Sequence, residues 1–313
     1  MKGKMEIVLF GGIIVDQFVV VDRMPERGGD AWIRDSFHRV GGCAMNVGVT
    51  LANLGLHPHI VSNVGDDVWG GRIRDELERR RFSTRAIRYA RQQHSGYCLT
   101  FVEKGGERTF LTRKGCEAHF APDFVDEELI ARTSHVYVTG YYLLEPAVAD
   151  AICARLEDLK KAGAFIVFDP GPLVSSIEEE ILRRLLRLSD LILPNEREWS
   201  ALAAKLGWPA GDDSRLFRET GIQTLILKQG DRGVTLKVDG AFMHVPPYRV
   251  DVVDTTGAGD SFAGGLIFGL SQGYGLTDSV RIASACGALA STFAGPHGEF
   301  DMDQITELMR KAR

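Results

Sequence analysis

The run Asp254-Thr255-Thr256-Gly257-Ala258-Gly259-Asp260-Ser261-Phe262, preceded by Val252-Val253 and followed by Ala263-Gly264-Gly265, is the densest chemical signal in the chain. An apolar extended segment runs into a turn, then into small residues, then into a helical pattern. The backbone N–H groups of Gly257, Ala258 and Gly259 would then lie free at a helix N-terminus, where unpaired donors and the helix dipole both favour an anion. Small residues let a phosphate approach that backbone closely. Asp260 falls in the first turn, where the dipole stabilises its carboxylate and aims it at whatever the amides hold. An amide cradle with one carboxylate has the parts of a phosphoryl-transfer site. The amides hold the charge developing on the transferred group, and the carboxylate takes the proton of the attacking hydroxyl. The competing explanation is purely structural: glycines for tight helix packing, and Asp260 as an N-terminal cap.

Such a cradle needs a rigid frame, and the rest of the chain supplies one. Short apolar runs at Ile7–Leu9, His59–Ser62, His135–Thr139, Phe165–Phe168, Leu191–Leu193 and Thr224–Leu227 have the near-continuous character of strands buried on both faces. Helical patterns lie between them, at Ala44–Leu54, Gly70–Arg80, Pro146–Lys161, Ser176–Leu188, Asn195–Leu206, Ala258–Ser271 and Leu276–Phe293. This alternation predicts an α/β fold with a doubly wound sheet flanked by helices. Two regions break it: Phe18–Arg23 with Ala31–Phe37, and Tyr97–Glu103 with Arg108–Arg113 joined by Lys104-Gly105-Gly106-Glu107. They read as antiparallel strands of a small inserted β-sheet, a lid at roughly 16–38 and 96–114 within one domain of residues 1–313.

Composition limits the partners. The net charge of −5 and the absence of any block of like charge argue against a nucleic-acid backbone binder. Five cysteines, odd in number and without a C-x-x-C pair, argue against a disulfide framework and a zinc site. Met1-Lys2-Gly3-Lys4 mimics the start of a signal peptide, but Ile7–Val15 is bounded by Glu6 and Asp16 and lacks a cleavage site. The expectation is a cytoplasmic protein without a membrane span. Glycine is in excess, at 35 of 313 residues, and without a collagen-like period that excess must serve turns and close backbone approaches.

The run Asp254 to Phe262 resembles the C-terminal signature of the ribokinase (PfkB) family of carbohydrate and nucleoside kinases. Val40-Gly41-Gly42-Cys43-Ala44-Met45-Asn46-Val47-Gly48 resembles the N-terminal signature. Weaker matches follow in the family's order: Gly65-Asp66-Asp67 with Gly70, Asp169-Pro170-Gly171-Pro172, Asn195-Glu196-Arg197-Glu198 and Gly230-Asp231-Arg232-Gly233. The resemblance implies an ATP-dependent kinase acting on a hydroxymethyl group, with a ribokinase-like core and a β lid. It implies Asp260 as catalytic base and Gly257, Ala258 and Gly259 as an anion hole. Asn195 and Glu198 would organise Mg²⁺ and its waters, although the same pair also reads as a helix cap with its capping-box partner. Asp254 and the backbone of Thr256 match positions that often line a K⁺ site. Lys228, Gly230 and Gly233 lie where the family reads the nucleotide, while a strand-end lysine more commonly faces solvent.

At the other end, the resemblance makes Asp16, placed at the end of the first strand, a reader of adjacent hydroxyls. Gly41 and Gly42 would bring backbone against the sugar, and Asn46 would bond a hydroxyl. Cys43 reads as small packing, and Arg113 as a solvated lid charge rather than an anion contact. Tyr141-Tyr142 could stack on a substrate or belong to the core. The Asp169-Pro170-Gly171-Pro172 turn lacks the Asn and Arg common in hexose and keto-acid sugar kinases, so the acceptor stays open between a sugar and a nucleoside. The sheet's open edges predict a homodimer through the lid. No G-x-x-x-x-G-K-[ST] occurs, and Gly11-Gly12 is not followed by a dinucleotide fingerprint. A non-catalytic sugar-binding regulatory protein on the same fold is the rival from another class.

Overall fold

A computed structural model describes residues 5–105, 107–238 and 241–311. Met1-Lys2-Gly3-Lys4, and Gly106 of the expected hairpin connection, lie outside the described residues. In chain order the strands are β1 (Glu6–Phe10), β2 (Ile14–Val21), β3 (Ile33–Gly41), β4 (His59–Gly65), β5 (Ile87–Ala90), β6 (Tyr97–Glu103), β7 (Arg108–Arg113), β8 (Thr133–Thr139), β9 (Phe165–Asp169), β10 (Leu191–Ile192), β11 (Thr224–Lys228), β12 (Val234–Val238) and β13 (Ala241–Val245). Nine of them form one large sheet in the order β13-β12-β11-β10-β9-β8-β1-β4-β5, parallel except for the β11-β12-β13 edge. The other four form a separate sheet in the order β3-β2-β6-β7.

The apolar runs are legible in the packing. Ile7 and Leu9 face one core, against Tyr137 and Val167, while Val8 and Phe10 face a second, against Val136, Val138 and Phe168. That is the two-residue period of a strand covered on both sides. The helices Cys43–Asn53, Ala258–Ser271 and Leu276–Ala290 cover the first core, and Pro146–Lys161, Glu179–Leu188 and Glu196–Lys205 the second.

Several boundaries differ from expectation. The helix expected from Ser176 starts at Glu179, because Val174–Ser176 forms a separate 3₁₀ turn and Ile177 is extended. Serines compete for backbone hydrogen bonds and favour such turns over helix interiors. The helix expected to reach Phe293 ends at Ala290. Strands β5, β12 and β13 and the helices Glu127–Arg132 and Ser214–Thr220, which are short or sit at an edge, lie outside the expected elements, as does the helix Met302–Lys311 near the end of the chain. Asp16 is not at the end of the first strand. β1 stops at Phe10, the chain turns at Gly11-Gly12, and Asp16 lies within β2, opposite Arg39 on β3 and Cys98 on β6. No helix among the described residues is long and apolar enough to cross a membrane.

Candidate active site

The C-terminal ends of β8, β9 and β11 deliver Thr139, Asp169 and Lys228 to one side of a cleft, and the small sheet brings Asp16 and Gly41 to the other. In open α/β sheets this end of the strands is where ligands bind. The helix Ala258–Ser271 points its N-terminus into the same place, with Gly257 as its cap at φ 72°. A Cβ on Gly257 would stand 1.8 Å from the Pro296 carbonyl oxygen, so the turn requires glycine twice over, by conformation and by space. One expected donor is otherwise engaged: Ala258 N–H donates to Thr255 O at 3.2 Å within the turn. The N–H groups of Gly257, Gly259 and Asp260 have no backbone acceptor among the described residues and remain for an anion.

Asp260 is held from across the cleft, its Oδ2 accepting from Asn46 Nδ2 at 2.8 Å. Asn46 sits in the helix Cys43–Asn53, and its Oδ1 is buried without a protein partner, an acceptor available to a ligand hydroxyl. Burial pushes the Asp260 carboxyl up to about 7; the charge of Asp169 adds to this, while Asn46, Lys228 and Cys43 oppose it. Asp16 is likewise raised to about 7, by burial first and then by Asp260. A Cβ on Gly41 would fall 2.2 Å from Asp16 Oδ2, so that glycine makes room for the carboxylate. Burial raises the Cys43 thiol well above its ordinary value, with the charges of Asp260 and Asp169 adding to this, so it stays neutral near the carboxylate.

Lys228 is not a surface lysine. Its Nζ donates to Asp169 Oδ2 at 3.1 Å and lies over Gly259, with the Lys228 side chain only 15% exposed. Burial works against its charge, but Asp169, Glu198 and Asp260 outweigh burial and raise its pKa. Asn195 and Glu198 form a reciprocal capping box, with Glu198 N–H donating to Asn195 Oδ1 at 2.9 Å and Asn195 N–H to Glu198 Oε2 at 2.8 Å. The structural reading of that pair therefore holds. The pair also places a buried carboxylate beside Lys228; burial raises Glu198, Lys228 opposes that and Asp169 adds to it. Next to this cluster opens a cavity of about 700 Å³, bordered by Lys228, Gly230, Gly233, Tyr248, Gly259 and Phe262.

Asp254 is buried, with Oδ1 accepting from Thr256 N–H at 2.8 Å and Oδ2 from Gly295 N–H at 3.0 Å. Tyr142 belongs to the core, its hydroxyl donating to His119 O at 3.2 Å. Tyr141 is half-buried near Cys43 and Asp260, under the Lys114 ammonium, which also donates to its carbonyl at 3.0 Å. Arg113 stacks over Tyr97 and is exposed, as expected of a solvated charge. Sequence reasoning placed Asp169 in a motif turn but gave it no part in the site, and it missed Lys114. Asp169 carried a signal, a carboxylate ending a parallel strand; Lys114 carried none.

Fold and site together define an α/β phosphotransferase, with an amide cradle and a carboxylate poised near neutrality at the strand ends. The comparisons are specific. Residues 4–298 match the pfkB family of carbohydrate kinases. An uncharacterized sugar kinase of Escherichia coli, YegV, is 29% identical over 297 residues, covering 94% of this chain and 90% of that one. The structure of a fructokinase from Xylella fastidiosa with bound ATP superimposes with a TM-score of 0.86 at 21% identity, over 99% of both chains. A putative ribokinase II of Escherichia coli in complex with ATP and Mg²⁺ gives 0.81 at 25% identity, over 98% of this chain and 99% of that one. The chain belongs to the pfkB family of carbohydrate kinases, phosphotransferases with an alcohol group as acceptor.

Proposed function

We propose that this kinase transfers the γ-phosphoryl group of ATP to a hydroxymethyl group of a free sugar, with Asp260 as the base. The observation that carries the reading is the position of Asp260. It stands beside the unpaired amides at a helix N-terminus, with its carboxyl raised to about 7. A base tuned near the working pH is ionised often enough to act and basic enough to take a proton. Asn46 orients Asp260 through Nδ2 and offers Oδ1 to the acceptor, while Asp16 reads neighbouring hydroxyls from the small sheet. Gly41 and Gly42 let the acceptor approach the backbone. Gly257 and Gly259 hold the equatorial oxygens of the transferring group, with Ala258 shaping their turn. Lys228 balances charge between the cradle and Asp169, and the nucleotide lies in the cavity beside Gly230 and Gly233.

The residues present suit Mg²⁺. Asp169 and the capping-box carboxylate of Glu198 share the ammonium of Lys228, leaving local negative charge for a hard cation. No group of three or more ligating side chains converges among the described residues. Glu198 and Asn195 would therefore act on the ion through its waters. Bound there, Mg²⁺ would supply charge neutralisation for the phosphates. The small sheet acts as a lid within a single domain of residues 1–313, and the protein works as a cytoplasmic homodimer paired through that lid. Its exposed Trp32, Phe110 and Leu111 and the unpaired edges of β3 and β7 support the pairing.

A nucleoside acceptor is the second reading, favoured by Tyr141, whose half-buried ring near Cys43 and Asp260 could stack on a base. The test is a panel of pentoses, hexoses, keto-acids and nucleosides, pseudouridine included, incubated with ATP and Mg²⁺ and read as phosphorylated product by mass. A phosphorylated pentose or hexose supports the first reading, and a nucleoside 5′-phosphate alone replaces it with the second. Binding without turnover across the whole panel would favour the regulatory-protein alternative.

A further inference from the structure

Arg108 opens β7 at the tip of the small sheet, opposite Val102 on β6, which in turn lies opposite Val20 on β2. Since Val20, Phe18 and Asp16 alternate onto one face of β2, Arg108 shares the sheet face that carries Asp16. From that face it reaches the turn that opens the anion cradle, its Nη2 lying 2.8 Å from Asp254 Oδ1. The pair is largely shielded, with the side chains 17% and 6% exposed. Asp254 also holds the N–H groups of Thr256 and Gly295, so one carboxylate joins three segments. These are the tip of the small sheet, the turn leading to Gly257, and the stretch before Pro296, against whose carbonyl Gly257 packs. A K⁺ ion on Asp254, as the sequence resemblance implies, does not fit this arrangement. It would stand beside a guanidinium and compete for the same oxygen.

We propose that Arg108 is a positioning residue that latches the lid to the anion cradle, and that its guanidinium supplies at Asp254 the positive charge a monovalent cation would otherwise bring. A buried carboxylate needs a compensating charge, and a guanidinium keeps its charge at every working pH. Because the lid carries this charge, it reaches Asp254 only when the lid is down, so closure and ordering of the Asp254–Gly257 turn occur together. Phosphoryl transfer is then independent of K⁺. The catalytic half of the proposal rests on the kinase reading; the latch itself does not.

The test has two arms. In the first, hydrogen exchange is followed in the substrate-free full chain for wild type and Arg108→Ala. Amides of Tyr97–Arg113 should exchange roughly fivefold faster in the variant, and equal exchange overturns the latch. In the second, turnover of the best acceptor is measured in choline chloride with and without added KCl or millimolar guanidinium. The wild-type rate should change by less than about twofold. Arg108→Ala should lose about tenfold in kcat and regain a large part of it with either cation. A wild type that needs K⁺ overturns the charge role, and so does a slow variant that neither cation restores. Should Arg108→Ala fail to fold, Arg108→Gln carries the same two readouts. A wild type inactive on every acceptor would sink the kinase reading, while the exchange arm still decides the latch.

Discussion

As the proposed base, Asp260 would govern the chemistry, and its raised carboxyl costs the fold stability; both effects can be measured. Only the ionised carboxylate accepts a proton, so kcat/KM should rise with pH through about 7 and level off above it. Asp16 is raised to about the same value by burial and by Asp260, so the observed midpoint belongs to the pair. For stability the sign runs the other way. A carboxyl whose folded pKa lies above its unfolded value of 3.8 favours the protonated fold, so stability is lost as pH rises from there through about 7. Asp260→Asn removes that cost. Its Tm should exceed the wild-type Tm at pH 8, with the gap closing towards pH 4, while kcat falls by about 10² or more. A variant melting below wild type at pH 8 would show that the carboxylate is not strained there. Gly257→Ala meets both the left-handed backbone and the Pro296 carbonyl, and should cost about 2 kcal/mol or more in denaturant unfolding.

Among the elements, the strand ends do the positioning, and they explain what the sequence could convey. β8, β9 and β11 were legible as buried apolar runs because their residues face helices on both sides. The cradle was legible because Gly257, Ala258, Gly259 and Asp260 follow one another in the chain. The ion pair between Lys228 and Asp169 was not, since it joins residues 59 apart whose meeting depends on β10 lying between their strands. Arg108 and Asp254 are further apart still, and nothing local in either segment marks the other. The Lys228 pair predicts its own signature. Lys228→Met leaves the Asp169 and Glu198 carboxylates buried without their cation and should cost about 3 kcal/mol, as removal of one partner from a buried pair does. Adding Asp169→Asn should recover most of that stability without recovering activity. Additive losses in the double variant would show that the two groups are not coupled.

At the scale of the whole molecule, the small sheet is the part least protected by its own chain. Its outer strands β3 and β7 have open edges, and Phe110 and Leu111 stand exposed on β7. Sedimentation at micromolar concentration should give a species of twice the chain mass, and Leu111→Glu should shift it to the monomer without lowering Tm by more than a few degrees. A clean wild-type monomer would refute pairing through the lid. The cavity beside Gly230 and Gly233 and the Gly257 turn, by contrast, lie at the large sheet, so on the proposed reading replacing Asp260 should leave nucleotide binding intact. That separation gives the most direct test of the central claim. ATP affinity and single-turnover phosphoryl transfer should be measured side by side for wild type and Asp260→Asn on the best acceptor. ATP affinity should stay within about threefold while transfer slows by about 10² or more. Equal transfer by the two proteins would contradict the assignment of Asp260 as the base.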